Sequence, residues 1–154
     1  MARHIHPITP EQLTPALDLI YESFTDWRDE TEGTVVRRLT QEIRSKRYYL
    51  PELEIVCTDD DGLLGYCMFS RFHLGGKFEN ELLMLTPVCV KPGYQRQHIS
   101  RDMIEYGMNR AREMGFKACI VEGNPANYHS RGFVTAADHG ILPGKRYTCP
   151  ISTA

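Results

Sequence analysis

The apolar positions in the first fifty residues recur with the period of helices, after one short β-rich run. Residues 5–8 are predicted to form a strand, and Thr9-Pro10-Glu11-Gln12 then joins a capping residue to a proline at the first helical position. Because Pro15 would clash with a preceding helical turn, the regular helix is expected to begin at Thr14 and to end near Asp26. Its apolar face comprises Leu13, Leu17, Ile20 and Phe24. A second helix is predicted from Val35, Val36, Leu39 and Ile43.

Three β-rich runs follow in the middle of the chain. Residues 53–58 and 63–74 are separated by Asp59-Asp60-Asp61-Gly62, whose Asp-Gly pair is typical of a hairpin turn. A third run, residues 81–90, is rich in Leu and Val but contains Pro87. Because proline lacks the backbone donor that a sheet ladder needs, this strand is expected to bulge or splay at the proline.

The last third of the chain returns to helical spacing and then to a short buried strand. An apolar stripe over residues 99–114 predicts a helix that ends at Gly115. Residues 118–121 are uniformly apolar, as in a strand buried on both faces, so they form a βαβ unit with this helix and the β-rich run before it. A short helical turn at residues 125–129 and a return to the sheet at Gly132-Phe133 complete the pattern.

The order of these elements predicts the fold class. The succession β-α-α-β-β-β-α-β-α-β is that of an α/β protein with a mixed central β-sheet flanked by helices on both faces. No internal repeat, low-complexity tract or linker divides the chain, and 154 residues are enough to bury one core. We therefore expect a single domain over residues 1–154.

Composition and charge narrow the choice of partners. Hydrophobic residues make up 42% and charged residues 25%, and the formal net charge of -2 gives no basic excess for a polyanion. No apolar stretch is long enough to span a membrane, and the first residues lack the apolar segment of a secretory signal. We therefore expect a cytoplasmic protein with neither nucleic acid nor a membrane as its partner.

Cysteine and histidine positions argue against a metal site. The five cysteines are widely separated, without a C-x-x-C pair, and are interpreted as buried thiols: Cys57, Cys67, Cys89, Cys119 and Cys149. His4 and His6 would share one face of a strand, but no third ligand lies near them in the sequence. They are interpreted as polar strand-edge residues, and no metal is expected.

The second predicted helix has a basic side. Its cationic residues, together with those directly after it, are Arg37, Arg38, Arg44, Lys46 and Arg47. A solvated face accounts for them, and the alternative is a docking surface for an acidic substrate or a phosphate.

The junction between the third β-rich run and the following helix is a candidate anion site. The unpaired amides of a first helical turn, at the positive end of the helix dipole, bind anions, and Arg96 and Arg101 flank this turn. Every strand-to-helix junction has such amides, so the position alone is weak evidence.

Three sequence blocks resemble the GNAT superfamily of N-acetyltransferases. The run Val-x-Pro-x-Tyr-Gln-x-Gln-x-Ile at residues 90–99 is similar to the acetyl-CoA-binding motif of that family. Residues 64–70 resemble the third strand of a bacterial branch, and residues 123–128 with Gly132-Phe133 resemble its G-x-P-x-x-Y…G-F segment. The blocks keep their order and spacing, so the resemblance covers nearly the whole chain.

The resemblance implies a co-substrate, acetyl-CoA, and the residues that bind it. In the family a splayed fourth strand pairs with the pantetheine arm, and amides at the next helix start hold the pyrophosphate. The implied reaction is direct acetyl transfer to a primary amine of a small molecule or peptide, without a metal, and homodimer formation is left open. The implied cofactor-binding residues are Val88, Cys89, Val90, Gln95, Arg96, Gln97, His98, Ile99, Ser100, Arg101 and Asn124.

The resemblance also implies catalytic residues. Tyr128 matches the tyrosine that protonates or hydrogen-bonds the CoA sulfur, and the alternative is a core tyrosine that anchors the last helix. Asn124 matches a cofactor contact, although Asn before Pro is also an ordinary turn residue. Glu81 is the expected general base, with Glu79 and Glu122 as rivals, and a solvated glutamate at a strand end is the alternative.

The cofactor loop departs from the family pattern. His98 and Ser100 stand where the family has glycine or another small residue, and Arg96 replaces a further glycine. An imidazole at position 98 would crowd the pyrophosphate if it pointed inward, which supports a rival function as a degenerate acyl-CoA-binding sensor or regulatory module without turnover. We expect instead that position 98, at the helix start, adopts helical backbone angles and turns its side chain outward.

Overall fold

A computed structural model describes residues 2–122, 128, 132–135 and 150–153, and seven strands within these ranges form one sheet. The order of the strands across the sheet is β1-β2-β3-β4-β5-β7-β6. Only the β4–β5 pair is parallel. The strands are β1 (His4–Pro7), β2 (Glu54–Asp59), β3 (Gly62–Leu74), β4 (Lys77–Val90), β5 (Ala118–Ile120), β6 (Val134–Thr135) and β7 (Pro150–Thr153). The helices are α1 (Leu13–Trp27), α2 (Glu30–Arg44) and α3 (Ile99–Glu113).

The first helix begins slightly earlier than the sequence predicts. A 3₁₀ turn over Pro10–Gln12 leads directly into α1, and the Thr9 backbone N–H donates to Gln12 Oε1 at 2.9 Å. Pro15 is the third residue of α1. The amides of the first helical turn have no partner within a helix, so a proline there removes no hydrogen bond.

Helices α1 and α2 pack on one face of the sheet, over a cluster built from Ala16, Leu19, Ile20, Val36, Val56, Tyr66, Met68 and Cys89. The apolar stripe of α2 differs from the prediction, because Val35 and Leu39 are 52% and 38% exposed. The predicted Val36 is buried and Ile43 packs against the cluster, and the rest of the buried side of α2 is formed by Gly33 and Thr40. A Cβ at Gly33 would lie 2.3 Å from Thr25 Oγ1, so small residues let α2 approach α1 closely.

Helix α3 packs on the opposite face of the sheet, as the sequence predicts. A Cβ at Gly107 would come within 2.1 Å of the Phe69 ring, so this glycine sets the close approach of α3 to β3. The helix ends in a Schellman motif, in which Gly115 has a φ of 95° and the Phe116 N–H donates to the Ala111 carbonyl at 3.0 Å. The predicted stop at Gly115 is confirmed.

The strand arrangement confirms the predicted hairpin and the predicted βαβ unit. Strands β2 and β3 are antiparallel across the turn at Gly62, and β4, α3 and β5 form the βαβ unit. Strand β4 pairs with β5 only at Leu82–Met84. On the β3 side, Cys67 and Phe69 oppose Val88 and Leu85, so β4 has one extra residue beside Pro87. The expected bulge and splay are therefore present.

The described cysteines are buried free thiols, as expected: Cys57, Cys67, Cys89 and Cys119. Burial raises the pKa of each, to about 12 for Cys89. Asn124, Cys149 and all of the predicted 125–129 turn except Tyr128 lie outside the described residues. No helix in the described part of the chain has both the length and the apolar character that crossing a membrane would require.

Candidate functional site

Beyond Met84, strand β4 has an edge that pairs with none of the described strands. On its other side β4 pairs with β3, and there the Lys91 N–H donates to the Leu64 carbonyl at 2.8 Å. The register makes Cys89, two residues earlier, the next residue that is hydrogen-bonded to β3. Hydrogen-bonded and non-hydrogen-bonded pairs alternate along an antiparallel ladder. Val88 and Val90 therefore direct their backbone N–H and C=O groups to the unpaired edge. We call this stretch, residues 85–90, the open edge.

The loop that leads from the open edge to α3 holds two non-glycine residues in the left-handed region, besides Gly93. Arg96 has a φ of 62°, and His98, the N-cap of α3, has φ 65° and ψ 14°. The expectation that position 98 adopts right-handed helical angles is therefore wrong, although its place at the helix start is confirmed. A left-handed conformation costs a non-glycine residue about 1–2 kcal/mol. At positions 96 and 98 the loop thus keeps a glycine-type backbone without glycine.

A cavity of about 280 Å³, which we call the α3 cavity, lies at the start of α3. It is lined by Val90, Tyr94, Gln95, Arg96, His98, Ile99 and Ser100. Six of these seven residues were predicted from the sequence to bind the cofactor, Tyr94 being the exception. The side chain of His98 is exposed.

Two other predicted cofactor residues are engaged elsewhere. Gln97 accepts hydrogen bonds from Arg3 through both its side chain and its carbonyl, the latter at 3.4 Å. Arg101 pairs with the neighbouring Asp102 at 3.1 Å. Neither Gln97 nor Arg101 lines the α3 cavity.

A larger cleft of about 870 Å³ lies beside the end of α2, and we call it the α2 cleft. Three chain segments and one single residue contribute to its lining: seven residues within 39–48, Ser70–Phe72 of β3, Met84–Thr86 of β4, and Glu122. Sequence reasoning did not find this cleft, because its walls are far apart in the chain. The available signal was the basic stretch around Lys46 and Arg47.

The three candidate bases occupy different surroundings. Glu122 lines the α2 cleft, next to the beginning of the open edge. Glu79 pairs with Arg47 Nη2 at 3.2 Å. Glu81 has an exposed side chain outside the lining of the cleft, and its backbone carbonyl accepts from the Lys117 N–H at 2.8 Å.

Tyr128 packs against the core on the α3 side of the sheet. Its ring centroid lies 5.7 Å from that of Phe133, edge to face, and its carbonyl accepts from the Phe133 N–H at 3.1 Å. These contacts hold Tyr128 in place, as expected if it is a core tyrosine that anchors the last helix. Its role at a CoA sulfur stays a prediction, as does that of Asn124.

A fully buried carboxylate, Glu54, is the centre of a hydrogen-bond network that lies outside the lining of the α2 cleft, next in sequence to some of its lining residues. Its side chain accepts hydrogen bonds from Arg44 Nε at 2.7 Å and from the Tyr49 and Tyr66 hydroxyls. Arg44 also donates to the Leu13 carbonyl at 3.1 Å, so the network joins α1, α2 and β2. Burial, and next Glu54 itself, raise the pKa of both tyrosines. Nothing in the sequence pattern marked Glu54, which begins an ordinary strand.

Comparison with known proteins agrees with this geometry. The chain matches the model of the acetyltransferase (GNAT) family over residues 16–138, well over half of its length. It therefore belongs to that family, and the predicted fold class is confirmed.

The relatives include two proteins from Escherichia coli strain K12. The uncharacterized N-acetyltransferase YhbS is 29% identical over 115 residues, which cover 74% of this chain and 67% of that protein. The uncharacterized N-acetyltransferase YjhQ is 27% identical over 88 residues, and the match spans 49% of YjhQ and 56% of this chain.

Two solved structures share the fold. Escherichia coli YhbS in complex with CoA has a TM-score of 0.84 at 24% identity, over 98% of this chain and 81% of that one. A GNAT family acetyltransferase from Brucella melitensis in complex with acetyl-CoA has a TM-score of 0.76 at 24% identity, over 97% of this chain and 86% of that one.

Proposed function

We propose that this protein transfers an acetyl group from acetyl-CoA directly to a primary amine of a small molecule or peptide. The observation that carries the proposal is the open edge of β4, which runs between the α2 cleft and the α3 cavity. An extended ligand with amide groups fits such an edge, because the backbone groups of Val88 and the Val90 N–H have no strand partner among the described residues. The Val90 carbonyl accepts from Ser23 Oγ at 3.3 Å and from Gln95 Nε2 at 3.4 Å.

The α3 cavity suits the pyrophosphate end of the same ligand. Amides of a first helical turn and the helix dipole attract anions, and Arg96 adds a positive charge. The Ile99 and Ser100 amides lie in that first turn, and the exposed His98 ring leaves the backbone accessible.

The α2 cleft is the proposed acceptor site. Acetyl-CoA supplies the activated acyl group as a thioester, and a neutral amine is the nucleophile that attacks it. A carboxylate must take a proton from the ammonium form, and Glu122 is favoured over Glu81 and Glu79 because it lines the cleft. Tyr128 is proposed to donate a proton or hydrogen bond to the departing thiolate.

The rival function is acyl-CoA binding without turnover. One experiment separates the two: the protein is incubated with acetyl-CoA and a panel of primary amines, and both thiol release and the acetylated amine are measured. Amine-dependent release supports the transferase. Thermal stabilisation by CoA, about 2.7 kcal/mol at 100 times its dissociation constant, without turnover supports the rival. Millimolar CoA with no stabilisation contradicts both.

A further inference from the structure

The α2 cleft has both cations and carboxylates on its lining. The cations are Lys46, Arg47 and Arg71, and the carboxylates are those of Glu42 and Glu122. Arg47 is balanced by Glu79 at 3.2 Å, a residue outside the lining. Within the described part of the chain, Lys46 and Arg71 have no carboxylate within 4 Å.

Arg71 is held in place by the chain that follows α2. Its backbone N–H donates to the Tyr48 carbonyl at 2.9 Å, and its Nη1 donates to the Arg47 carbonyl at 3.2 Å. Its Nε is buried and has no hydrogen-bond acceptor among the described residues. Buried polar groups are normally paired, and a charged donor is among the costliest to leave without a partner.

The buried Nε is out of reach of a ligand, so an anion in the cleft would pair with another atom of the Arg71 guanidinium. Guanidinium groups bind carboxylates and phosphates through charge-assisted hydrogen bonds. Lys46, which is exposed on the same lining, supplies a second positive charge. The cleft is also lined by the apolar side chains of Ile43, Phe72 and Met84.

We propose that the amine accepted by the α2 cleft also carries an anionic group, a carboxylate or a phosphate, which Arg71 and Lys46 bind. This inference rests on the proposed function, because it takes the α2 cleft as the acceptor site. Arg71 lies opposite Leu83, three residues before Thr86, which corresponds to about 10 Å along the strand. The amine and the anion of such an acceptor are therefore separated by several bonds.

Matched pairs of amines test the proposal. Glycine, β-alanine, 4-aminobutyrate and 5-aminovalerate are each compared with their neutral amides, and phosphoethanolamine with ethanolamine, in steady-state acetyl transfer. We expect at least one acid to exceed its amide by tenfold or more in kcat/KM, mainly through a lower KM. Comparing the amino acid pairs with the phosphoethanolamine pair identifies whether the cleft binds a carboxylate or a phosphate.

Two variants and a control assign the effect to the cleft. Arg71→Gln should reduce the acid-over-amide ratio to below about threefold by raising the KM of the acid, with kcat nearly unchanged. Lys46→Gln, at an exposed position, should reduce the ratio severalfold and is the test that holds if Arg71→Gln does not fold. Arg37→Gln, a cation of α2 that stacks on Tyr21 at 4.6 Å outside the cleft lining, should leave the ratio unchanged.

The outcomes separate this inference from the proposed function. Equal rates for acids and amides, or a ratio that survives both Arg71→Gln and Lys46→Gln, overturn the inference and leave acetyl transfer standing. Absence of transfer to every amine overturns the proposed function instead. Calorimetric titration of the same pairs into CoA-loaded protein then decides the inference: binding of the acid alone, lost in both variants, supports it, and equal binding overturns it.

Discussion

The α3 cavity and the α2 cleft are built from different parts of the polypeptide. The α3 cavity is formed by one continuous segment, residues 90–100, and its proposed binding groups are backbone amides at the start of α3. The α2 cleft brings together side chains from four distant parts of the chain. A site made of backbone groups is expected to tolerate side-chain replacements such as His98 and Ser100, whereas a site made of side chains depends on the identity of each residue. If the two sites have the proposed roles, proteins that share this fold can keep one co-substrate while the acceptor varies.

The largest expected effect is on stability, at the Glu54 network next in sequence to the lining of the α2 cleft. Glu54→Gln removes the charge that Arg44 requires in a buried network, and breaking such a pair costs about 3–5 kcal/mol. We expect urea denaturation to report a loss of that size, while Glu52→Gln, at an exposed position two residues away, changes the free energy of unfolding by less than about 0.5 kcal/mol. At temperatures where the variant is folded, the KM of the amine should rise more than that of acetyl-CoA. A loss below about 1 kcal/mol would contradict the role of Glu54 as the centre of a buried network.

Tyr128→Phe tests the chemistry that joins the two sites. If the hydroxyl assists the leaving thiolate, kcat should fall by about 10²-fold or more, because general-acid contributions have that size, with CoA affinity nearly unchanged. Tyr106→Phe is the matched control, since Tyr106 also packs, half-buried, against the core on the α3 side. A normal kcat in Tyr128→Phe would return Tyr128 to the role of a core anchor.

Alkaline pH tests the core that lies between the two sites. The pKa of Cys67, Cys89 and Cys119 is raised in the folded protein by burial, so these thiols stay protonated while those of the unfolded chain ionise above about pH 8.5. Stability is therefore fully present below about pH 8.5 and is lost as the pH rises, by up to about 1.4 kcal/mol per pH unit for each thiol.

The measurement is urea denaturation from pH 7.5 to 10. Cys67→Ala should lower the slope by the contribution of one thiol, whatever its effect on stability at neutral pH. A free energy of unfolding that does not change up to pH 10 would contradict the burial of these thiols.

His98→Gly has the smallest expected effect and tests the tolerance of the backbone site. Glycine relieves a left-handed strain of about 1–2 kcal/mol and adds about 0.5–1 kcal/mol of unfolded-chain entropy, so stability should rise by about 0.5–1 kcal/mol. Gln97→Gly, at the neighbouring position outside the positive-φ region, should instead destabilise. CoA affinity should be equal or weaker in His98→Gly. Binding about tenfold tighter, roughly 1.4 kcal/mol, would show that the imidazole obstructs the site.

The features that the sequence predicted depend on one continuous segment, and those that it missed depend on distant parts of the chain. Local patterns predicted the helix stop at Gly115 and the splay at Pro87, because each depends on neighbours in the chain. The residues around the α3 cavity were implied by the family resemblance of one continuous sequence block. The exposure of Leu39, the burial of Glu54 and the α2 cleft depend on how distant elements pack. The left-handed angle of His98 was missed because the side chain there favours other conformations, and the loop closure overrides that preference.

Amide hydrogen exchange by NMR, with and without CoA, tests the central claim most directly. If the open edge of β4 binds the pantetheine arm, exchange at the Val88 and Val90 amides should slow by at least tenfold on CoA binding, since both point to that edge. The Cys89 amide, which is already paired with β3, should change much less. CoA that binds without protecting Val88 or Val90, or that protects Cys89 equally, would contradict the account.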